Sequence, residues 1–199
     1  METQEIMQLS DLDLSKTYTY ADYYKWDFVE RVELINGKVF MLPTPYTLHQ
    51  QVSGNLLFAL ANHCYKKPIK VFTAPFDIRL SKNLKEDEDI KTVVQPDISV
   101  ICDRTKIDER GCIGVPNIMI EILSPGSNKK ELHNKYDIYE ECGVQEYWII
   151  SPDYCTFFRY TLEESGKYNP SKLFTFGDEV TTPILPGFVL KLEDVFAED

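Results

Sequence analysis

The sequence predicts an α/β domain, a mixed central β-sheet flanked by helices and entered through an N-terminal β-hairpin. Three observations carry this. Val32 to Ile35 and Lys38 to Leu42 are apolar-rich runs joined by Asn36-Gly37, a pair that supplies the positive φ angles of a type I′ turn. Tyr46 to Tyr65 carries Leu48, Val52, Leu56, Ala59, Leu60 and Cys64 at helical spacing, which makes one apolar stripe along a long helix. Between residues 93 and 162 the order strand, strand, helix, strand, strand points to a mixed sheet.

In chain order, residues 1–16 are polar and read as a flexible N-terminal segment, followed by a single domain over 17–199. Thr19 is placed to cap a short helix from Ala21 to Trp26, with Asp22 at the N3 position of a capping box. Glu33 lies on the first hairpin strand, where a solvated edge position is one reading and a place in a functional site the other. His49 and His63 read as surface or satisfied core residues, since neither has a second ligand four residues away. Val71 to Leu80 reads as one strand, with Phe76, Ile78 and Leu80 alternating against Asp77 and Arg79. Lys82 to Lys91 reads as a solvated polar linker, and a hairpin centred near residue 86 would set Asp77 opposite Gln95. Asp77, Gln95 and Asp97 would then share a face. Val93 to Ile101 reads as a second apolar strand, and 103–114 as a polar connection.

Ile118 to Leu123 is a run of strand formers whose one charge is Glu121. Ser124-Pro125-Gly126 ends it, and a helix from Lys129 to Glu141 follows, with Lys135 and Tyr139 four residues apart on one face. Strands at 145–151 and 155–162, a weaker one near 173–176, and the closing segments 185–188 and 190–196 complete the domain.

Composition narrows the function classes. The 43% hydrophobic and 27% charged fractions are those of an ordinary globular protein. No basic leader precedes an apolar core, and no window approaches the ~18 apolar residues of a membrane span, so a cytoplasmic protein without a membrane partner is expected. The five cysteines form no C-x-x-C pair, which speaks against a zinc site or a disulfide framework and for reduced thiols. A net charge of −11 argues against coating nucleic acid by bulk charge. Contact with DNA would need a local basic face, for which Lys66-Lys67 with Lys70, and Lys129-Lys130-His133-Lys135, are the candidates.

Asp97 and Glu121 each interrupt an apolar run, 24 residues apart. On neighbouring strands, two such carboxylates could hold magnesium against a phosphate, because that ion takes hard oxygen ligands and keeps several waters. Lys135, on the next helix, could then stabilise the transition state or orient the attacking water. The structural alternative pairs the same acids with Arg79, Arg104 or Lys135, since a buried carboxylate is costly unless it is paired or holds a metal.

Gln95-Pro96-Asp97, Glu121-Ile122-Leu123-Ser124-Pro125 and Lys135-Tyr136-Asp137-Ile138-Tyr139 together with Cys142-Gly143-Val144-Gln145-Glu146-Tyr147-Trp148 resemble the Uma-type restriction endonuclease family, of the PD-(D/E)XK nuclease superfamily. Val32 to Gly37, Ala74 to Leu80 and Leu185 to Phe188 extend the likeness over nearly the whole chain. The resemblance implies a restriction-endonuclease-like fold, with Asp97 and Glu121 as metal ligands. It also exposes a departure, because Leu123 stands where the superfamily pattern has lysine, and Lys135 fits a migrated position for the catalytic ammonium. Tyr139 matches a tyrosine of related nucleases, Glu33 could add an acid to the metal site, and Gln95 and Asp77 could line the cleft. The expected function is a Mg2+-dependent DNA endonuclease, with Mn2+ as a substitute ion and a homodimer as a way to cut both strands. The alternatives are a catalytically silent nuclease-fold binding or regulatory module, or an enzyme acting on RNA or a phosphorylated small molecule.

Overall fold

A computed structural model describes residues 8–83, 86–125 and 129–197, apart from the side chains of 129–131. Its elements run in the order α1 (Tyr20–Tyr23), β1 (Val32–Ile35), β2 (Lys38–Met41), α2 (Thr47–Cys64), β3 (Lys70–Thr73), β4 (Ile78–Arg79), β5 (Val93–Val94), β6 (Ile98–Ile101), β7 (Ile107–Asp108), β8 (Gly111–Ile113), β9 (Ile118–Ile122), α3 (Lys129–Cys142), β10 (Glu146–Ser151), β11 (Thr156–Thr161), β12 (Lys172–Thr175), β13 (Glu179–Thr181), β14 (Val189–Lys191) and α4 (Leu192–Val195). They form two mixed six-stranded sheets, β2-β1-β5-β4-β8-β7 and β12-β11-β10-β9-β6-β3, with β13-β14 as a separate pair.

The hairpin forms as its turn chemistry demands. Asn36 and Gly37 have φ of 52° and 75°, and the register runs from Val32 opposite Met41 to Ile35 opposite Lys38. At the short helix before it, the Asp22 carboxylate accepts the Thr19 N–H at 2.9 Å. The second sheet is mixed because α3 carries the chain from β9 to a parallel β10, while its other pairs are antiparallel. Val52, Leu56, Leu60 and Cys64 on α2 pack against Ile98, Val100, Ile118, Ile120 and Trp148 of this sheet. Each fully buried leucine there is worth about 2–5 kcal/mol against alanine.

Two expected strands are broken. The run 71–80 divides into β3 of one sheet and β4 of the other, and 93–101 divides into β5 and β6 in the same way. Pro75 and Pro96 stand in the gaps, and a residue without an N–H cannot continue a ladder. The two crossings lie side by side, joined by a bond from the Ala74 N–H to the Asp97 carbonyl at 3.1 Å. The expected register of Asp77 opposite Gln95 continues the observed pairing of Ile78 with Val94. Asp97, however, has left that face for the corner between the sheets.

The stretch 103–114 is no bare connection, since β7 and β8 pair in it and β8 runs parallel to β4. Nor is 82–91 wholly solvated: Ile90 is buried and its carbonyl accepts the Tyr20 N–H, while residues 84 and 85 lie outside the description. Arg79, expected on a polar face, is buried against Asp108 and the face of Tyr20. Among the described residues, no helix is long and apolar enough to cross a membrane.

Burial pushes the Asp108 carboxyl up, but the Arg79 guanidinium and the Arg110 N–H outweigh it and hold the group below its ordinary range. A depressed folded-state pKa gives stability that is present above the unfolded value near ~3.9 and lost as pH falls through the folded one. Asp108→Asn should therefore cost about 2 kcal/mol at pH 7, a figure reduced for the exposure of Asp108. In urea titrations the gap between wild type and variant should close below pH ~4.

Candidate active site

The site forms where the two sheets part. Continuing the β6–β9 ladder from Ile98 opposite Ile120 brings Asp97 opposite Glu121. Asp97 Oδ2 accepts the Ile122 N–H at 2.7 Å, so the aspartate is fixed to the backbone of the strand that carries the glutamate. Both acids line a cleft of about 260 Å³, together with Arg31, His49, Ser53, Gln95 and Ser124.

Behind the cleft lies a buried ion cluster. Lys135 and Tyr139, one turn apart on α3, both donate to Glu121 Oε1, at 2.9 and 3.0 Å. Lys135 Nζ also stands 3.0 Å from Glu33 Oε1 and 2.9 Å from Oε2. Glu33 is fully buried, because β1 lies between β2 and β5 and is no edge strand. Its Oε1 also accepts the Gln95 N–H at 2.6 Å. Burial raises the pKa of Glu121 against the pull of Lys135, and Asp97 and Glu33 add to the rise. Burial also works against the Lys135 ammonium, but Glu121 and Glu33 outweigh it and hold the lysine cationic. Burial raises the Tyr139 phenol as well, so it remains a donor.

A second network fixes the Gln95 end. Gln95 Nε2 donates to Asp77 Oδ1 at 2.8 Å, Tyr23 donates to the same oxygen at 3.1 Å, and Gln95 Oε1 accepts from Arg31 Nη2 at 2.7 Å. Gln95 thus lines the cleft, while Asp77 stands behind it in a neighbouring hollow. Leu123 follows the end of β9, its N–H bonded to the Ile150 carbonyl at 2.8 Å. The expected basic face on α3 does not form around Lys135, which points into the cluster while His133 is exposed beside Asp137. The side chains of Lys129 and Lys130 lie outside the described residues.

Two cleft residues were not anticipated. His49 is buried, with Nε2 3.2 Å from Asp97 Oδ1. Its place was readable, since 49, 52, 56 and 60 share the inward stripe of α2; a search for paired metal ligands passes over it. Arg31 gave no comparable signal.

The model of the Uma2 family, described as "Putative restriction endonuclease", matches residues 20–193. The chain belongs to the Uma2 family. A solved structure, described as a putative nuclease belonging to DUF820 from Anabaena variabilis, superposes on this Uma2 chain with a TM-score of 0.71 at 22% identity. It covers 90% of this chain and 97% of its own. The fold is therefore restriction-endonuclease-like. No curated protein matches.

The donor chemistry fits a hard divalent cation. Asp97 and Glu121 present carboxylate oxygens to one cleft, and with Glu33 they outnumber the ammonium of Lys135 three to one. Among the described residues no group of three or more His, Cys, Asp or Glu side chains is arranged to hold a metal ion, so protein ligation would be limited to fewer side chains. Magnesium keeps several waters and needs few protein ligands, so a pair of carboxylates suits that ion better than zinc, which takes His and Cys.

Replacing Lys135 by methionine leaves Glu33 and Glu121 facing each other without their cation. Lys135→Met should lose about 3–5 kcal/mol in urea unfolding at pH 7, and Glu33→Gln added to it should restore at least about 1 kcal/mol. If Lys135→Met is as stable as wild type, the ion cluster does not hold the two sheets as described.

Proposed function

We propose that this Uma2 protein is a metal-dependent DNA endonuclease, with Asp97 and Glu121 as ligands of Mg2+ or Mn2+ and Lys135 assisting the attacking water. One observation carries the reading: Asp97 at a strand corner and Glu121 on a buried strand line a single cleft, and Lys135 of α3 reaches Glu121 from behind it, its Nζ 2.9 Å from Oε1. When bound, the ion would polarise the scissile phosphate and lower the pKa of the attacking water. The chain's own part is positional. The Ile122 N–H fixes one oxygen of Asp97, and Lys135 and Tyr139 fix one oxygen of Glu121. The Lys135 ammonium supplies the positive charge that the superfamily's lysine position, here Leu123, lacks. Glu33 keeps that ammonium in place and is read as its partner, with no ligand role.

The rival reading, a nuclease-fold binding module without cleavage, draws on the 2% exposure of Lys135, whose charge is already shared between two carboxylates. Cleavage of supercoiled plasmid and of single-stranded oligonucleotides separates the two. With Mg2+ or Mn2+ the wild type should cut and EDTA should stop it, while Asp97→Ala and Lys135→Ala should each fall by at least about 100-fold. Equal cutting by wild type and variants removes the proposed residues. DNA binding without cutting and without metal affinity in calorimetry supports the module.

A further inference from the structure

We infer that His49 is the positioning residue of the metal site: it orients the Asp97 carboxylate and thereby sets the affinity of the cleft for a divalent cation. The inference rests on the metal reading above and adds a residue that reading does not use.

Asp97 sits at a corner between β5 and β6, outside the span of any strand, where its side chain would otherwise be free to rotate. Two contacts, one to each oxygen, restrict that freedom. The Ile122 N–H holds Oδ2 at 2.7 Å, and His49 Nε2 stands 3.2 Å from Oδ1. A carboxylate only accepts hydrogen bonds, so in this role His49 would donate from Nε2–H. Each oxygen keeps a further lone-pair direction, so the clamp fixes the plane of the carboxylate without using up its capacity to bind an ion. The imidazole is itself held. His49 lies in the first turn of α2, is 5% exposed and packs beside Tyr46, with ring centroids 6.4 Å apart. Its Nδ1 is buried and, among the described residues, makes no hydrogen bond. A histidine buried at the expense of one ring nitrogen, with the other aimed at a cleft carboxylate, is poorly explained by packing alone, since an apolar side chain would fill the space without an orphaned polar atom.

The role is distinct from ligation. His49 Nε2 faces Asp97 Oδ1 at 3.2 Å, so the histidine is assigned to act through Asp97. Outer partners of this kind typically change metal affinity by 10–100-fold.

The test is Mn2+ binding to the full chain without DNA, read from the electron paramagnetic resonance of free Mn2+, together with urea stability without metal. His49→Ala and His49→Leu should weaken Mn2+ binding by about 10–100-fold. His49→Gln, whose amide can donate from near the Nε2 position, should stay within about threefold of wild type. The leucine variant keeps the volume and serves if the alanine cavity prevents folding. Unchanged affinity in His49→Ala or His49→Leu, with or without lost stability, overturns the inference and leaves the metal reading standing. Equal loss in the glutamine and leucine variants also overturns it, in favour of a direct ligand. Wild type that binds no Mn2+, with Asp97→Ala indistinguishable from it, removes the metal reading and the inference with it.

Discussion

The ammonium of Lys135, held between Glu33 and Glu121, is the interaction on which the rest of the site depends. It ties β1 of one sheet, β9 of the other and helix α3 to a single point, with Lys135 and Glu33 buried and Glu121 reaching the cleft. Burying an ion is expensive, and the arrangement is stable only because each member satisfies the others. Removing Lys135 leaves two carboxylates facing each other without a cation. The cluster therefore works as a pin between the sheets and also as the back wall of the cleft. The same lysine that fixes the architecture also fixes the oxygen of Glu121 on which the proposed chemistry relies.

The cleft exists because the chain changes sheets twice. Pro75 and Pro96 interrupt hydrogen-bonded ladders, and the segments around them cross from one sheet to the other side by side. An uninterrupted strand would have kept Asp97 inside a ladder. At the crossing its carboxylate is instead turned to the N–H of Ile122 and to His49. The Gln95 side chain joins the two crossings to Arg31, so the cleft wall and the sheet junction share the same hydrogen bonds.

Much of this was legible in the residues. Asn36-Gly37, the α2 stripe and the apolar run around Glu121 specify local structure through turn geometry and periodicity, and each formed near its expected bounds. The helical spacing of Lys135 and Tyr139 also put both on one face, where they meet the same oxygen of Glu121. What could not be read was partnership across the chain. Glu33 on an apparent edge strand is buried because β5, 60 residues on, covers it, and nothing local to the hairpin announces that neighbour. Arg79 alternates as a surface residue would, yet β8 closes over it and Asp108 neutralises it. The two sheets likewise came from long-range pairing that overrode strand propensity at the prolines. His49 was a different kind of miss, since the stripe of α2 pointed it inward.

The claim that joins these features is that Asp97 and Glu121, braced by His49 and Lys135, present oxygens to one divalent cation. A crystal of the full chain soaked with Mn2+ and measured for anomalous scattering tests it most directly. One peak is expected in the cleft, about 2.0–2.3 Å from oxygens of both carboxylates, with Lys135 still on Glu121. A cleft without a peak at saturating Mn2+, or a peak bound away from Asp97 and Glu121, would contradict it.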